Sequence, residues 1–309
     1  MSDIFLRILP FFLVIGCGYL AAAFRYFSSE ATDWLSRFVF YFALSAMLFR
    51  FAATLPLPDI FDVRFALAYL SACGSLYILV ITVGLVRGEG LAVAALESQC
   101  AIIGNTGFLG LPMLVALLGN AAAGPVLLTL AIDLIVFSSL VVMFITVSRE
   151  GRFSLTSVLR VLGGVIRNPM VVSISAGIIW SAFRLPLVGP FDAFLELLAG
   201  AATPAALFAI GASLAFHKAG RIGISLWLAG AKLVLHPLLV AAFAILVFTV
   251  DPFAAGVMIA AAAMPTAGNI FLLANHYRVA EARVSSVILF STCASIVTLS
   301  LAISLVPNQ

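Results

Sequence analysis

Charge is what this sequence has least of. Asp, Glu, Lys and Arg make up 9% of it and apolar residues 64%, where a soluble domain is about a quarter charged. A globular fold of 309 residues could not hide that much apolar surface, so a soluble class is excluded and no nucleic-acid partner is expected. Histidine is nearly missing too. His217, His236 and His276 are scattered, and no His-Glu-x-x-His metal motif occurs. There is no Gly-Lys-Ser/Thr phosphate cradle, no Gly-x-Ser-x-Gly turn and no aspartate-rich loop. These gaps argue against a self-sufficient primary pump, an intramembrane serine protease, a metal hydrolase and a prenyl transferase. No catalytic residue, metal or cofactor is expected. Cys17, Cys73, Cys100 and Cys293 lie inside apolar runs without ligand spacing and read as free thiols in packing.

What the sequence does have is apolar runs long enough for a bilayer, whose ~30 Å core takes roughly 20 residues of helix. Ten such segments fall at about 4–24, 34–54, 63–86, 91–119, 123–147, 168–185, 194–215, 222–249, 252–278 and 284–306. Continuous runs suit helices rather than alternating barrel strands, so the expected class is an all-α integral membrane protein with lipid around it. Ala21 to Ala23 imitate a signal-peptide cleavage site, but the first segment has a counterpart later in the chain and reads as a span. Basic residues divide by alternate loops. Arg25, Arg37, Arg87, Arg149, Arg152, Arg160, Arg167, Lys218, Arg221, Arg278 and Arg283 fall on one side, and Arg7, Arg50, Arg64 and Arg184 on the other. The positive-inside rule then puts the first side in the cytoplasm of an inner-membrane protein and both termini outside. Trp34, Trp180 and Trp227 lie near span ends, as interfacial anchors do.

The two halves resemble each other. Phe42-Ala43-Leu44-Ser45-Ala46-Met47-Leu48 reads against Phe208-Ala209-Ile210-Gly211-Ala212-Ser213-Leu214, and Gly104-Asn105 against Gly268-Asn269, at an offset of about 164–166 residues. Five spans per half is an odd number. Residues 1–150 and 151–309 are therefore expected to form two repeats of inverted topology, with a substrate site near the midplane where they meet.

The fourth and ninth segments carry helix breakers at membrane depth: Ile103-Gly104-Asn105-Thr106-Gly107-Phe108-Leu109-Gly110-Leu111-Pro112 and Ala263-Met264-Pro265-Thr266-Ala267-Gly268-Asn269. Proline removes an N–H and glycine weakens a helix, and irregular backbone is tolerated there only inside protein or beside water. If both unwind, half-helix N-termini attract anions and C-termini cations. The candidate substrate-binding set is Asn105, Thr106, Gly107, Pro112, Pro265, Thr266 and Asn269. Ordinary proline kinks are the competing reading.

Gly104 to Pro112 and Met264 to Asn269 resemble the auxin efflux carrier family, especially its bacterial malonate or carboxylate transporters, along the whole chain. The resemblance implies the crossed-helix fold shared with bile-acid and sodium/proton transporters. It also implies a scaffold domain and a transport core each built from both repeats, a substrate near the two crossing asparagines, and a scaffold homodimer. The long loop between spans five and six of plant members is here only about twenty residues, so regulation through it is not expected.

An ionisable group inside a span costs at least ~2.5–3.5 kcal/mol and is a functional candidate. Asp133 and Lys232 each lie ~15 Å deep at 1.5 Å per residue. They form either a proton or cation site with an anion-attracting lysine, or a buried ion pair that fixes packing. His236, one turn from Lys232 and followed by Pro237, reads as a satisfied core histidine or a member of that site. Glu97 is shallower and either pairs with a loop arginine or joins Ser98 and Gln99 in a cation site. Together these residues point to a secondary carrier of a small organic anion, a mono- or dicarboxylate such as malonate or an auxin-like acid, driven by its own gradient or by coupled H+ or Na+. A cation/proton antiporter on the same fold and a passive channel or sensor are the alternatives.

Overall fold

Four helices start where a short polar side chain caps them. Ser28 Oγ accepts the Ala31 N–H at 3.1 Å. Asp62 Oδ1 accepts Arg64 N–H at 2.8 Å and Phe65 N–H at 3.2 Å. Asn168 Oδ1 takes Met170 N–H at 2.9 Å, and Asp251 Oδ2 takes Ala254 N–H at 3.0 Å. Pro169 and Pro252 follow the last two caps, in the first helical turn where a missing N–H costs nothing.

The computed structural model describes residues 2–55, 62–151, 155–216, 222–304 and 306. They fold as α1 (Ser2–Ala23), α2 (Ser29–Thr54), α3 (Val63–Val86), α4 (Leu91–Ile102), α5 (Thr106–Leu118), α6 (Asn120–Glu150), α7 (Leu155–Ile166), α8 (Pro169–Ala182), α9 (Gly189–Phe216), α10 (Ile222–Val247), α11 (Pro252–Ala262), α12 (Asn269–Tyr277) and α13 (Glu281–Ser304). Among the described residues there is no strand, only one isolated backbone bridge. Seven helices, α1, α2, α3, α6, α9, α10 and α13, are long and apolar enough to cross a bilayer. Helix α7 lies where the sequence suggests only a connecting loop. Its apolar residues do follow helical spacing, but Arg160 and Gly163-Gly164 interrupt the run.

Polarity is arranged inside out. Leu197 and Leu246 are each 79% exposed, whereas Asp133, Lys232 and His236 are buried. Lipid is the solvent that accepts such a surface, and ionisable groups face the bundle interior. Trp34 is exposed near the start of α2 and Trp227 on α10, as anchors would be; Trp180 packs on Phe49 and Phe191.

Helices approach through glycine. A Cβ on Gly211 of α9 would lie 1.8 Å from the Ile15 carbonyl oxygen, and one on Gly18 of α1 would lie 2.1 Å from that of Phe208. Gly177 of α8 meets α2 at Phe49 and Ala52 in the same manner, at 2.6 Å. Without a hydrophobic drive inside lipid, close contact of small residues is what holds helices together. Gly211→Ala is therefore expected to lower stability by about 3 kcal/mol, the upper end for overpacking, in a detergent melt. Gly16→Ala is the control, since nothing lies within 4 Å of its Cβ position. Near the other end of this group, Arg50 Nε donates to Asp192 Oδ1 at 2.7 Å and ties α2 to α9.

Several helices tighten or slip register internally. π-helical turns occur at Val39–Ala43, Thr106–Gly110, Asp133–Phe137, Ala231–Leu235 and Ala242–Val247. Single π turns inside α-helices are rare and gather at functional sites. Here one begins at Asp133 and another holds Lys232. Just before Pro237 the His236 N–H reaches back five residues to the Ala231 carbonyl.

Candidate functional site

Two chain interruptions meet in the middle of the bundle. Helix α4 stops at Ile102 and α5 begins at Thr106; α11 stops at Ala262 and α12 begins at Asn269. The two linkers pass each other antiparallel, bridged at Gly104 and Thr266. Asn105 N–H donates to the Pro265 carbonyl at 2.7 Å, and Ala267 N–H to the Ile103 carbonyl at 3.1 Å. Unwound backbone thus finds partners in the opposite linker, as burial requires. Gly104 packs closely there: a Cβ would meet Ala261 O at 3.1 Å and both Lys232 Nζ and Met264 Cβ at 3.2 Å. Thr266 pins the crossing. Its hydroxyl donates to the Cys100 carbonyl at 2.9 Å, and its N–H donates to Ser291 Oγ at 3.1 Å.

A cleft of about 1000 Å³ runs from this crossing to one end of the bundle, where Arg37 of α2 and Asn275 of α12 stand at its mouth. At its inner end are Asn105, Asn269 and Gln99. Asn269 Oδ1 and Gln99 Oε1 are buried with no hydrogen-bond partner among the described residues, as expected of groups that await a ligand. Of the remaining expected binding residues, Pro265 and Thr266 build the crossing. Thr106 is buried with its hydroxyl unpartnered. Gly107 faces Met170, whose Cε would be 2.8 Å from a Cβ. Pro112 sits in the first turn of the α-helical stretch Leu111–Leu118. None of these five lines the cleft.

The deep ionisable residues Asp133, Lys232 and His236 are not among the residues that line the cleft. Tyr69 donates its hydroxyl to Asp133 Oδ1 at 2.9 Å, and Asp133 Oδ2 has no partner among the described residues. Lys232 Nζ donates to the Ala262 carbonyl at 2.5 Å and lies 2.9 Å from His236 Nδ1. It therefore caps the C-terminal end of α11, where the helix dipole is negative. His236 Nε2 is 3.1 Å from Cys73 Sγ, so both ring nitrogens are engaged. Asp133 and Lys232 form no direct ion pair; each is held by other groups.

Glu97 takes the structural course. It accepts from Arg87 at 2.6 and 2.8 Å and from Arg283, which also reaches Glu89 at 3.0 Å. The network joins the α3–α4 turn to α13. Removing one partner of a buried pair strands a charge, which costs about 3–5 kcal/mol. Arg283→Leu is expected to lower stability by about 3 kcal/mol, toward the low end because Arg87 remains; a melt of the variant in detergent reads this directly.

A family model described as membrane transport protein matches residues 3–303. A protein of Rhizobium meliloti (strain 1021) named "Putative malonate transporter" is 30% identical over 305 residues, covering 97% of this chain and 95% of that protein. The chain belongs to the auxin efflux carrier family. In this member of the family, sequence reasoning missed Tyr69, Cys73 and Ser291. Tyr69 and Cys73 stand four apart, as Lys232 and His236 do. Such i, i+4 pairs share one helix face, and that spacing in an apolar run was the available signal.

Proposed function

We propose that this membrane transport protein is a secondary carrier of a small carboxylate, working by alternating access at the crossing of its two interrupted helix pairs. The observation that carries the reading is the pair of asparagines, Asn105 and Asn269, at the inner end of the cleft, each beside a linker that breaks a helix. The amide N–H groups of Gly268 and Asn269 find no backbone acceptor among the described residues, and N–H groups at the start of a helix are suited to an anion.

Taken as two half-helices each, α4–α5 and α11–α12 cross the bilayer once. With α8 and the seven long helices they make ten spans in two inverted repeats. Packing supports this plan: α1 lies on α9 through Gly18 and Gly211, and α8 lies on α2 through Gly177, which is the same pairing with the repeats exchanged. Those four helices are the scaffold, and the remainder is the moving core. The cleft mouth lies toward the side richer in Lys and Arg, so this is an inward-open state of an inner-membrane protein with both termini outside. Malonate enters from the name of the Rhizobium relative and is the first substrate to test. The unpartnered oxygen of Asp133 is the proposed point of coupling to H+ or Na+, and no catalytic step or cofactor is assigned.

Purified protein in liposomes should show saturable counterflow of labelled malonate, competed by other small carboxylates. Flux that rises linearly with concentration would indicate a channel. Sodium/proton exchange with no response to any organic acid would favour the antiporter.

A further inference from the structure

The first half of α2 carries an aromatic groove on the outer surface of the bundle, with one cation in it. The groove, of about 480 Å³, is lined by Trp34, Arg37, Phe38, Tyr41 and Phe42. All four rings are exposed, and Phe38 stacks on Phe42 with centroids 6.2 Å apart. Arg37 differs from the arginines that hold the fold. Arg50, Arg87 and Arg283 are paired with carboxylates. Arg37 Cζ instead lies 5.0 Å from the centre of the Trp34 ring, a cation–π contact that supplies no hydrogen-bond acceptor for its five N–H donors. Among the described residues it has no ion pair, although Asp33 stands four residues before it on the same helix. Asp33 lines the cleft but not the groove, so the groove holds a cation and no anion.

We infer that this groove is a binding site for an anionic phospholipid, with the headgroup phosphate on Arg37 and the start of an acyl chain against Phe38, Tyr41 and Phe42. A guanidinium meets phosphate through two parallel N–H donors, a geometry that an ammonium cannot offer. The depth is suitable. Helix α2 has 26 residues, ~39 Å of helix against a hydrocarbon core of ~30 Å. Its first turns therefore reach the headgroup layer, and the long Arg37 side chain extends toward the same level. Trp and Tyr rings gather at that level for the same reason, since one part of each is apolar and another polar.

Charge and shape favour lipid over other occupants. A second copy that met this face about a two-fold axis would bring Arg37 toward its own counterpart, with no carboxylate in the groove to offset the repulsion. A free organic acid would meet Arg37 but leave the exposed rings uncovered. A phospholipid supplies both the anion and the chain. Arg37 and Tyr41 also line the cleft, so the bound headgroup borders the cleft mouth. The site itself does not depend on what the cleft carries.

The test reads lipid contact at Trp34. The protein has three tryptophans, so Trp180→Phe with Trp227→Phe leaves Trp34 as the only one. In vesicles, its fluorescence is quenched with brominated phosphatidylglycerol or brominated phosphatidylcholine at rising mole fraction. Half-quenching should need about fivefold less phosphatidylglycerol than phosphatidylcholine, the share of one arginine at an anionic surface. Arg37→Gln should remove that preference. If the single-tryptophan protein does not fold, the lipid retained through detergent purification is counted by mass. The unaltered chain should then keep one more phosphatidylglycerol than Arg37→Gln does. Equal quenching by the two lipids overturns the site, as does an undiminished preference, or undiminished retention, in Arg37→Gln. Shielding of Trp34 from both lipids, with a dimer mass, puts a second copy in the groove and overturns it. Loss of the preference on adding malonate or inorganic phosphate assigns Arg37 to a free anion and also overturns it.

Discussion

Asn105→Ala combined with Asn269→Ala is expected to abolish saturable carboxylate counterflow while the protein keeps its melting temperature. Each asparagine lines the inner end of the cleft, and among the described residues Asn269 Oδ1 has no hydrogen-bond partner at the crossing. The antiparallel pairing of the linkers uses the backbone of Asn105, which alanine retains. A hydrogen bond to a charged group contributes about 1.5–3 kcal/mol, so losing two at the low end gives about 3 kcal/mol, or roughly a hundredfold in affinity. Equilibrium binding of labelled malonate, with a melt in parallel, separates the two effects. Undiminished binding by the double variant would remove the site from the crossing.

Asp133→Asn is expected to abolish the dependence of flux on pH or sodium gradients and to leave counterflow at equal conditions intact. Asparagine can still accept the Tyr69 hydroxyl at the position of Oδ1. Its amide nitrogen replaces an oxygen that has no partner among the described residues, but it neither gains nor loses a proton in the working range. Gradient-driven accumulation of the labelled acid, with each ion imposed separately, measures this. If the dependence persists in the variant, Asp133 is a packing residue and coupling lies elsewhere.

Much of the fold was readable from spacing alone, because an apolar run of about 20 residues has one use in a bilayer. The third expected segment, 63–86, matches helix Val63–Val86 residue for residue. The helix breaks were also legible: Gly104-Asn105 and Pro265 with Gly268-Asn269 place breakers beside an amide in an otherwise apolar run, and both helices stop there. Other features depended on tertiary distance. Asp133 and Lys232 lie at similar depth by counting, yet Tyr69 and His236 stand as their partners instead of each other. Gly107 and Pro112 belong to the same motif as Asn105 but pack against Met170 and start a helix. The π turns left no clear mark, because register slips of one residue scarcely change a hydropathy pattern; helix Leu155–Ile166 did carry helical spacing, but at 12 residues it is too short to register as a span.

The most direct test of a crossing-centred carrier is a structure of the protein bound to the carboxylate that competes best in counterflow. The account predicts a carboxylate group at the inner end of the cleft, within hydrogen-bond distance of the Asn105 and Asn269 side chains. A carboxylate held only at Arg37 in the mouth, with the crossing untouched, would contradict it.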